Sequence, residues 1–223
     1  MKRIAITQRI IENQSYPETR DGLAADWGDW IQAATPDAVM MPVPNRADAA
    51  TDWWTEIRPD ALILSGGNDW GEAPARDDTE RRLLDAARQA GTPVFAVCRG
   101  LQAVNACFGG AVIDDVAART GVTHVAQNHG IELDKSPVSA LAGSPTLTVN
   151  SFHDQGVVVD AVAPGFQVFA VAKHGIVEGM FHQSEAIVAV QWHPERTSPS
   201  AAFDVALFNA LLEHGAFWTD VSS

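Results

Sequence analysis

Two short segments are almost wholly apolar and run into glycine. Ala61-Leu-Ile-Leu-Ser65 ends at Gly66-Gly67, and Pro93-Val-Phe-Ala-Val97 passes through Cys98-Arg99 into Gly100. A strand without polar alternation has no face to give to water, so both runs belong inside a sheet covered on both sides. That is the signature of parallel strands joined by helices. The neighbouring segments fit the same rhythm. Arg3–Thr7 and Ala38–Val43 read as further strands, the second closed by Pro42 and Pro44. Gly22–Ala34 reads as a helix with Leu23, Trp27, Trp30 and Ile31 on one stripe. Thr79–Ala90 reads as a helix stopped by Gly91, and Gly100–Phe108 as one stopped by Gly109-Gly110.

From His129 to Glu195 the pattern changes. Thr146–Asn150, Gln167–Ala172 and Ala186–Gln191 have the two-residue period of half-covered strands, which predicts an antiparallel extension of the sheet. Ser200–Glu213 is an Ala- and Leu-rich helix ending at Gly215. The expected fold is therefore α/β: a doubly wound, mainly parallel sheet, helices on both faces, and an antiparallel extension in the C-terminal half. No repeat or linker-like tract divides residues 1–223, so one domain is expected.

Charge narrows the partners. The chain carries 28 acidic against 15 basic residues, a formal net charge of −13, which repels nucleic acid and anionic membrane surfaces. No apolar run approaches a membrane span. Met1-Lys2-Arg3 leads straight into a strand pattern, and only two cysteines are present, which points to a reducing cytoplasm. The Trp53-Trp54 pair has two readings: an interface for a second copy in a homodimer, or packing onto the sheet, the commoner outcome.

Cys98 is the residue with the clearest chemical setting. A buried strand runs into it and a helix begins at once, with Gly100 giving room for a sharp turn. This is the geometry of a nucleophile elbow, which lifts the side chain off the sheet edge at a helix N-terminus. Free backbone N–H groups and the positive dipole end favour the reactive thiolate there. The competing reading of such a cysteine is plain core packing, and Cys107, on the following helix among Val104, Ala106 and Phe108, fits that one. A thiol nucleophile needs a base. His193 sits in Gln191-Trp-His-Pro-Glu195 just after a strong strand, and Glu195 can turn back to hold its ring, giving a Cys98-His193-Glu195 set. The Gly66-Gly67 turn ends at the same sheet edge. Its free N–H groups, with that of Arg99, are placed to receive an oxyanion.

Together these motifs resemble the class I glutamine amidotransferase-like superfamily: a G-G turn, then G-x-C-x-G-x-Q, then a distant H-P-E. They stand here as Ser65-Gly66-Gly67, Ala96-Val-Cys98-Arg-Gly-Leu-Gln102 and Trp192-His193-Pro194-Glu195, with Ala96 where the family often has Gly. The resemblance implies the flavodoxin-like glutaminase fold and the Cys98, His193 and Glu195 triad. It also implies oxyanion donors at Gly67 and Arg99, and a glutamyl-binding role for Gln102. Cys98-Arg99-Gly100 and Val149-Asn150-Ser151-Phe152-His153-Asp154-Gln155 are similar to the stand-alone γ-glutamyl hydrolase branch, which is peptidase C26-like. That branch's P-x-x-Y-G segment after the G-G turn is missing; Trp70-Gly71-Glu72-Ala73-Pro74 takes its place.

The segment from Ile6 to Trp27, with Gln8, Arg9, Asn13, Tyr16, Glu18 and Arg20, resembles the corresponding block of γ-glutamyl-CDP-amidate hydrolases of capsule phosphoramidate biosynthesis. That resemblance implies a nucleotide amidate on the leaving side and gives Arg9 and Arg20 a diphosphate to bind. The competing reading pairs these arginines with Glu18, Asp21 or Asp26 at the surface. Hydrolysis of γ-glutamyl-γ-aminobutyrate or another γ-glutamyl amine, and ammonia supply to a separate synthetase, are the alternative activities. His153 is placed near the pocket by the same match, and a structural role is its alternative. No spacing of His, Cys and carboxylates follows a metal-ligand pattern, so neither metal nor organic cofactor is expected.

Overall fold

A computed structural model describes residues 1–219. In chain order its elements are β1 (Lys2–Thr7), β2 (Arg9–Glu12), β3 (Thr19–Gly22), α1 (Asp26–Ala34), β4 (Ala38–Val43), α2 (Ala50–Ile57), β5 (Ala61–Leu64), α3 (Pro74–Ala90) and β6 (Val94–Val97). They continue as α4 (Arg99–Cys107), α5 (Val116–Thr120), β7 (Val125–Leu133), α6 (Pro137–Ala140), β8 (Thr146–Phe152), β9 (Phe166–Ala172), β10 (Ile176–His182), β11 (Ile187–Val190) and α7 (Ala201–His214).

Nine strands form one sheet in the order β4-β1-β5-β6-β11-β10-β9-β7-β8. From β4 to β11 every pairing is parallel; from β11 through β10, β9 and β7 to β8 every pairing is antiparallel. The expected mixed architecture is therefore present. The apolar strands divide their side chains between two cores. Ile4, Ile6, Ile63, Phe95 and Val97 join Trp27 and Trp30 of α1 and Phe208 of α7. Ala5, Leu62, Leu64, Val94 and Ala96 join Trp54 of α2, Leu83 of α3 and Leu101 of α4. Helices thus cover both faces, which is why these strands lack polar alternation.

Several boundaries differ from expectation for local reasons. The first helix begins at Asp26 rather than Gly22, because Thr19–Gly22 instead pairs with Arg9–Glu12 in an antiparallel hairpin. α3 starts at Pro74, five residues earlier than expected, with the proline in the first turn, where its missing N–H costs nothing. β10 carried no two-residue signal because all seven of its residues are buried. Trp54 is buried in the second core and Trp53, half-buried, packs against it, the packing alternative for this pair. Among the described residues no helix is long and apolar enough to cross a membrane.

Candidate active site

Parallel strands end at one edge, so Thr7, Leu64, Val97 and Val190 deliver the segments that follow them to the same place. Cys98 follows β6 directly. Its backbone sits at φ 55° and ψ −109°, left-handed for a residue with a Cβ, and α4 begins at the next residue. This is a strained strand-to-helix turn of the expected kind. Its N–H still donates to the Val190 carbonyl at 2.8 Å, tying the turn to β11. Gly100 makes the turn possible: a Cβ there would lie 2.3 Å from the Leu64 carbonyl oxygen.

His193 leaves the end of β11. Its N–H donates to Asn150 Oδ1 at 2.8 Å, and its carbonyl accepts from Asn150 Nδ2 at 2.8 Å. One buried amide on β8 thus fixes the backbone of the base. The ring is fixed by Glu195: His193 Nδ1 lies 2.7 Å from Glu195 Oε1. The second ring nitrogen, Nε2, is buried without another hydrogen-bond partner among the described residues. Gly66 packs between thiol and ring; a Cβ there would come within 2.8 Å of His193 Cε1 and 3.4 Å of Cys98 Cβ.

The electrostatics follow from this placement. Burial pushes the Cys98 thiol up, but the neighbouring His193 imidazolium outweighs burial, so the thiol lies below its ordinary range. Burial likewise disfavours charged His193, yet the Cys98 charge and the hydrogen-bonded Glu195 carboxylate carry the imidazole up to about 9. The pair favours thiolate and imidazolium. Cys107, on the same helix, is a contrast: burial, with Glu80 and Asp85 nearby, raises it to about 11.

The remaining expected site residues separate into groups. Gly66 and Gly67 line a cleft with Arg9, Trp27, His193 and Glu195. Arg20 does not reach it. Arg20 is exposed on the hairpin, where it pairs with Glu18 and donates to Tyr16 Oη at 2.8 Å. Gln102 is buried beneath the turn, donating to the Gln155 carbonyl at 2.9 Å. Arg99 offers its backbone N–H at the free start of α4. Its side chain is buried in ion pairs with Asp77 and Glu80.

Two positions escaped the sequence reading. Asn150 is one. The other is Arg76, which is fully buried and donates to the Ser65 carbonyl at 2.7 Å and the Gly66 carbonyl at 3.1 Å, as well as to the Gly67 carbonyl. C=O and N–H point opposite ways across a trans peptide. With the Gly66 carbonyl held by Arg76, the Gly67 N–H of the same peptide faces away from α3. Glu80 holds Arg76 at 2.9 Å and also pairs with Arg99. Along the sequence Arg76 and Glu80 look like an ordinary pair one helical turn apart, and only packing shows that they carry the glycine turn.

His153 is buried, and its Nδ1 lies 2.8 Å from the Gln155 carbonyl. Burial opposes its charge, but Glu178 and the nearby Cys98 side chain raise it above the usual imidazole value. Spacing along the chain shows no metal pattern, yet folding gathers His124, His153 and Glu178 with ligand atoms within 4.8 Å of one another.

Comparison with known proteins finds relatives of the chain. The family profile described as Peptidase C26 matches residues 4–195. The glutamine amidotransferase-like protein YvdE of Lactococcus lactis is 33% identical over 193 residues, covering 76% of this chain and 79% of its own. The γ-glutamyl-CDP-amidate hydrolase of Campylobacter jejuni is 28% identical over 201 residues, covering 86% of this chain and 90% of its own. The glutaminase domain of a Trypanosoma brucei CTPS superposes with a TM-score of 0.68 at 18% identity, covering 95% of this chain and 94% of that one.

Proposed function

The chain belongs to the Peptidase C26 family, and from that premise we propose that it is a cysteine-dependent hydrolase of γ-glutamyl amide bonds. The observation that carries the reading is the buried line of Cys98, His193 and Glu195, in which thiol and imidazole shift each other toward the ion pair. The Cys98 thiolate attacks the γ-carbonyl carbon. The oxyanion forms against the N–H groups of Gly67 and Arg99. Collapse breaks the C–N bond, and imidazolium His193 gives its proton to the departing nitrogen, leaving a γ-glutamyl thioester. Neutral His193 then takes a proton from water, whose oxygen attacks the thioester and releases glutamate and the thiolate. Glu195 holds the ring in the orientation both steps need.

The leaving group we propose is a nucleotide amidate, as in γ-glutamyl-CDP-amidate, with a place in capsule phosphoramidate synthesis. Two observations support it: Arg9 lines the cleft beside Gly67, and the Campylobacter jejuni hydrolase matches over most of both chains. A guanidinium at that place suits diphosphate oxygens. The test is glutamate release from γ-glutamyl-CDP-amidate, γ-glutamyl-γ-aminobutyrate, γ-glutamyl peptides and glutamine. A preference of tenfold or more for the amidate is expected. Preference for glutamine, rising on addition of a synthetase chain, would replace this reading with ammonia supply. Arg9→Ala is expected to raise KM about tenfold for the phosphate-bearing substrate and to leave glutamine hydrolysis unchanged. An equal effect on both would remove Arg9 from phosphate binding.

The pH profile follows from the same pair. The reactive form needs deprotonated Cys98 and protonated His193. The acid limb of kcat/KM should therefore lie below the ordinary thiol range, and the alkaline limb should fall as pH passes through about 9, where His193 loses its proton. Glu195→Gln should bring the alkaline limb to lower pH, because a support of the imidazolium is removed. Steady-state rates across pH, matched to Cys98 alkylation rates, measure both limbs.

A further inference from the structure

A second cluster of chemically capable residues lies outside the proposed reaction steps. Glu178 on β10 is fully buried. One of its oxygens, Oε1, is approached by three imidazole nitrogens: His124 Nδ1 at 3.7 Å, His153 Nε2 at 3.7 Å and His129 Nε2 at 3.2 Å. Ring centroids are 5.0 Å apart for His124 and His129, and 5.0 Å for His124 and His153. Both Glu178 oxygens and all three of these nitrogens are buried without a well-formed hydrogen bond among the described residues. Orphaned polar atoms at this density are costly in a protein interior and ask for a shared partner.

The spacing distinguishes what that partner is. A nitrogen and oxygen joined by a hydrogen bond lie about 2.7–3.2 Å apart, so 3.7 Å is too long for His124 and His153. Ligands about 2.0–2.1 Å from a tetrahedral zinc ion lie about 3.3–3.4 Å from one another. The two 3.7 Å imidazole-to-carboxylate separations sit near that edge length, and all three candidate ligand atoms lie within 4.8 Å of one another. The tautomer of His153 also suits a metal. Its Nδ1 faces the Gln155 carbonyl at 2.8 Å, which takes the ring proton there and leaves a lone pair on Nε2. Metal-bound histidines are habitually braced in this way. Water has a route in: His124 and His129 line a cleft of about 240 Å³ that reaches Val122, Lys173 and His174.

We propose that His124, His153 and Glu178 form a binding site for a divalent ion of the zinc class, with His129 bracing the Glu178 carboxylate and the remaining position open to the cleft. The donor set of two imidazoles and one carboxylate matches zinc and cobalt rather than calcium or magnesium, which take oxygen ligands. The ion joins the segment before β7, the segment after β8 and strand β10 behind the active site. His153 and Cys98 sense each other's charge, so the ion's charge acts on the thiol as well.

The test uses the full chain, freed of metal by a chelator and titrated with Zn²⁺ by calorimetry and with Co²⁺ by visible absorption. One ion per chain is expected, with tetrahedral cobalt bands and no sulfur-to-metal charge-transfer band. Cys98→Ala should keep this binding. His124→Ala and the isosteric Glu178→Gln, checked for folding by circular dichroism, should weaken it about a hundredfold or more. If those variants do not fold, the wild-type stoichiometry and the sulfur band decide the matter. No binding by the wild type overturns the site. So does a sulfur-ligated ion that disappears in Cys98→Ala, or binding that survives both cluster variants.

Discussion

Cys98→Ala is expected to lower kcat by about four to six orders of magnitude, the usual cost of deleting a nucleophile from a set that acts as a unit. The fold should persist. The thiol is one small buried group, and the elbow is held by backbone bonds such as Cys98 N–H to the Val190 carbonyl at 2.8 Å. Cys98→Gly separates chemistry from strain. At φ 55° and ψ −109° a residue with a Cβ is strained, and glycine is not. The glycine variant should be as inactive as the alanine one and more stable than it by about 1–2 kcal/mol. Wild-type enzyme quenched during turnover should carry a γ-glutamyl adduct on the peptide containing Cys98. Activity of either variant above about one-hundredth of wild type, well outside the loss expected for a nucleophile, would refute the assignment.

Glu80→Gln is expected to destabilise the protein by about 3–5 kcal/mol, because removing one member of a buried ion cluster leaves its partners uncompensated. Arg76 is fully buried and Arg99 is 2% exposed, and both lean on this one carboxylate. Burial alone would raise the Glu80 carboxyl, but the Arg99 and Arg76 charges outweigh it, so it lies below the ordinary carboxylate value of 4.5. A depressed acid stabilises the fold above its unfolded pKa and loses that contribution as pH falls through the folded one. Wild-type stability should therefore fall with pH below about 4.5, and the Glu80→Gln variant should lack that part of the slope. Urea midpoints across acid pH measure both effects. Because Arg76 holds the carbonyls of Ser65, Gly66 and Gly67, the variant should also lose activity under conditions where it remains folded.

How far these features could be read from the sequence depended on range. β5, β6 and the turn at Cys98 were legible, because wholly apolar runs and the following glycines are local signals. His193 was legible because Pro194 and Glu195 adjoin it. The hairpin of β2 and β3 was not: its eight residues include Arg9, Glu12, Arg20 and Asp21, a polar composition that reads as loop. β10 was invisible because it is buried on both faces while carrying Glu178 and Gly179. Asn150 was quoted only as part of a motif, since its bonds reach across 43 positions to His193. Arg76, Glu80, His124 and Glu178 gain their roles only where separate strands and helices meet. Polar residues in one-turn pairs, or singly in strands, look like surface along the chain.

The two reacting side chains follow the ends of adjoining strands, β6 and β11, whose pairing continues to Val97 and Val190. Neighbouring strands lie about 4.8 Å apart, so the sheet delivers both segments to one place, and Asn150 fixes the last step to His193. Arg9 comes from outside that sheet, at the base of a hairpin whose far end is anchored to nothing catalytic. In the proposed function, chemistry and recognition therefore rest on different parts of the chain. The hairpin's base is tied to the residue after the glycine turn, where Asn68 accepts from the Ile10 N–H at 2.8 Å and donates to the Ile10 carbonyl at 3.0 Å, so a change at the hairpin tip is felt less at the reactive centre than one at its base.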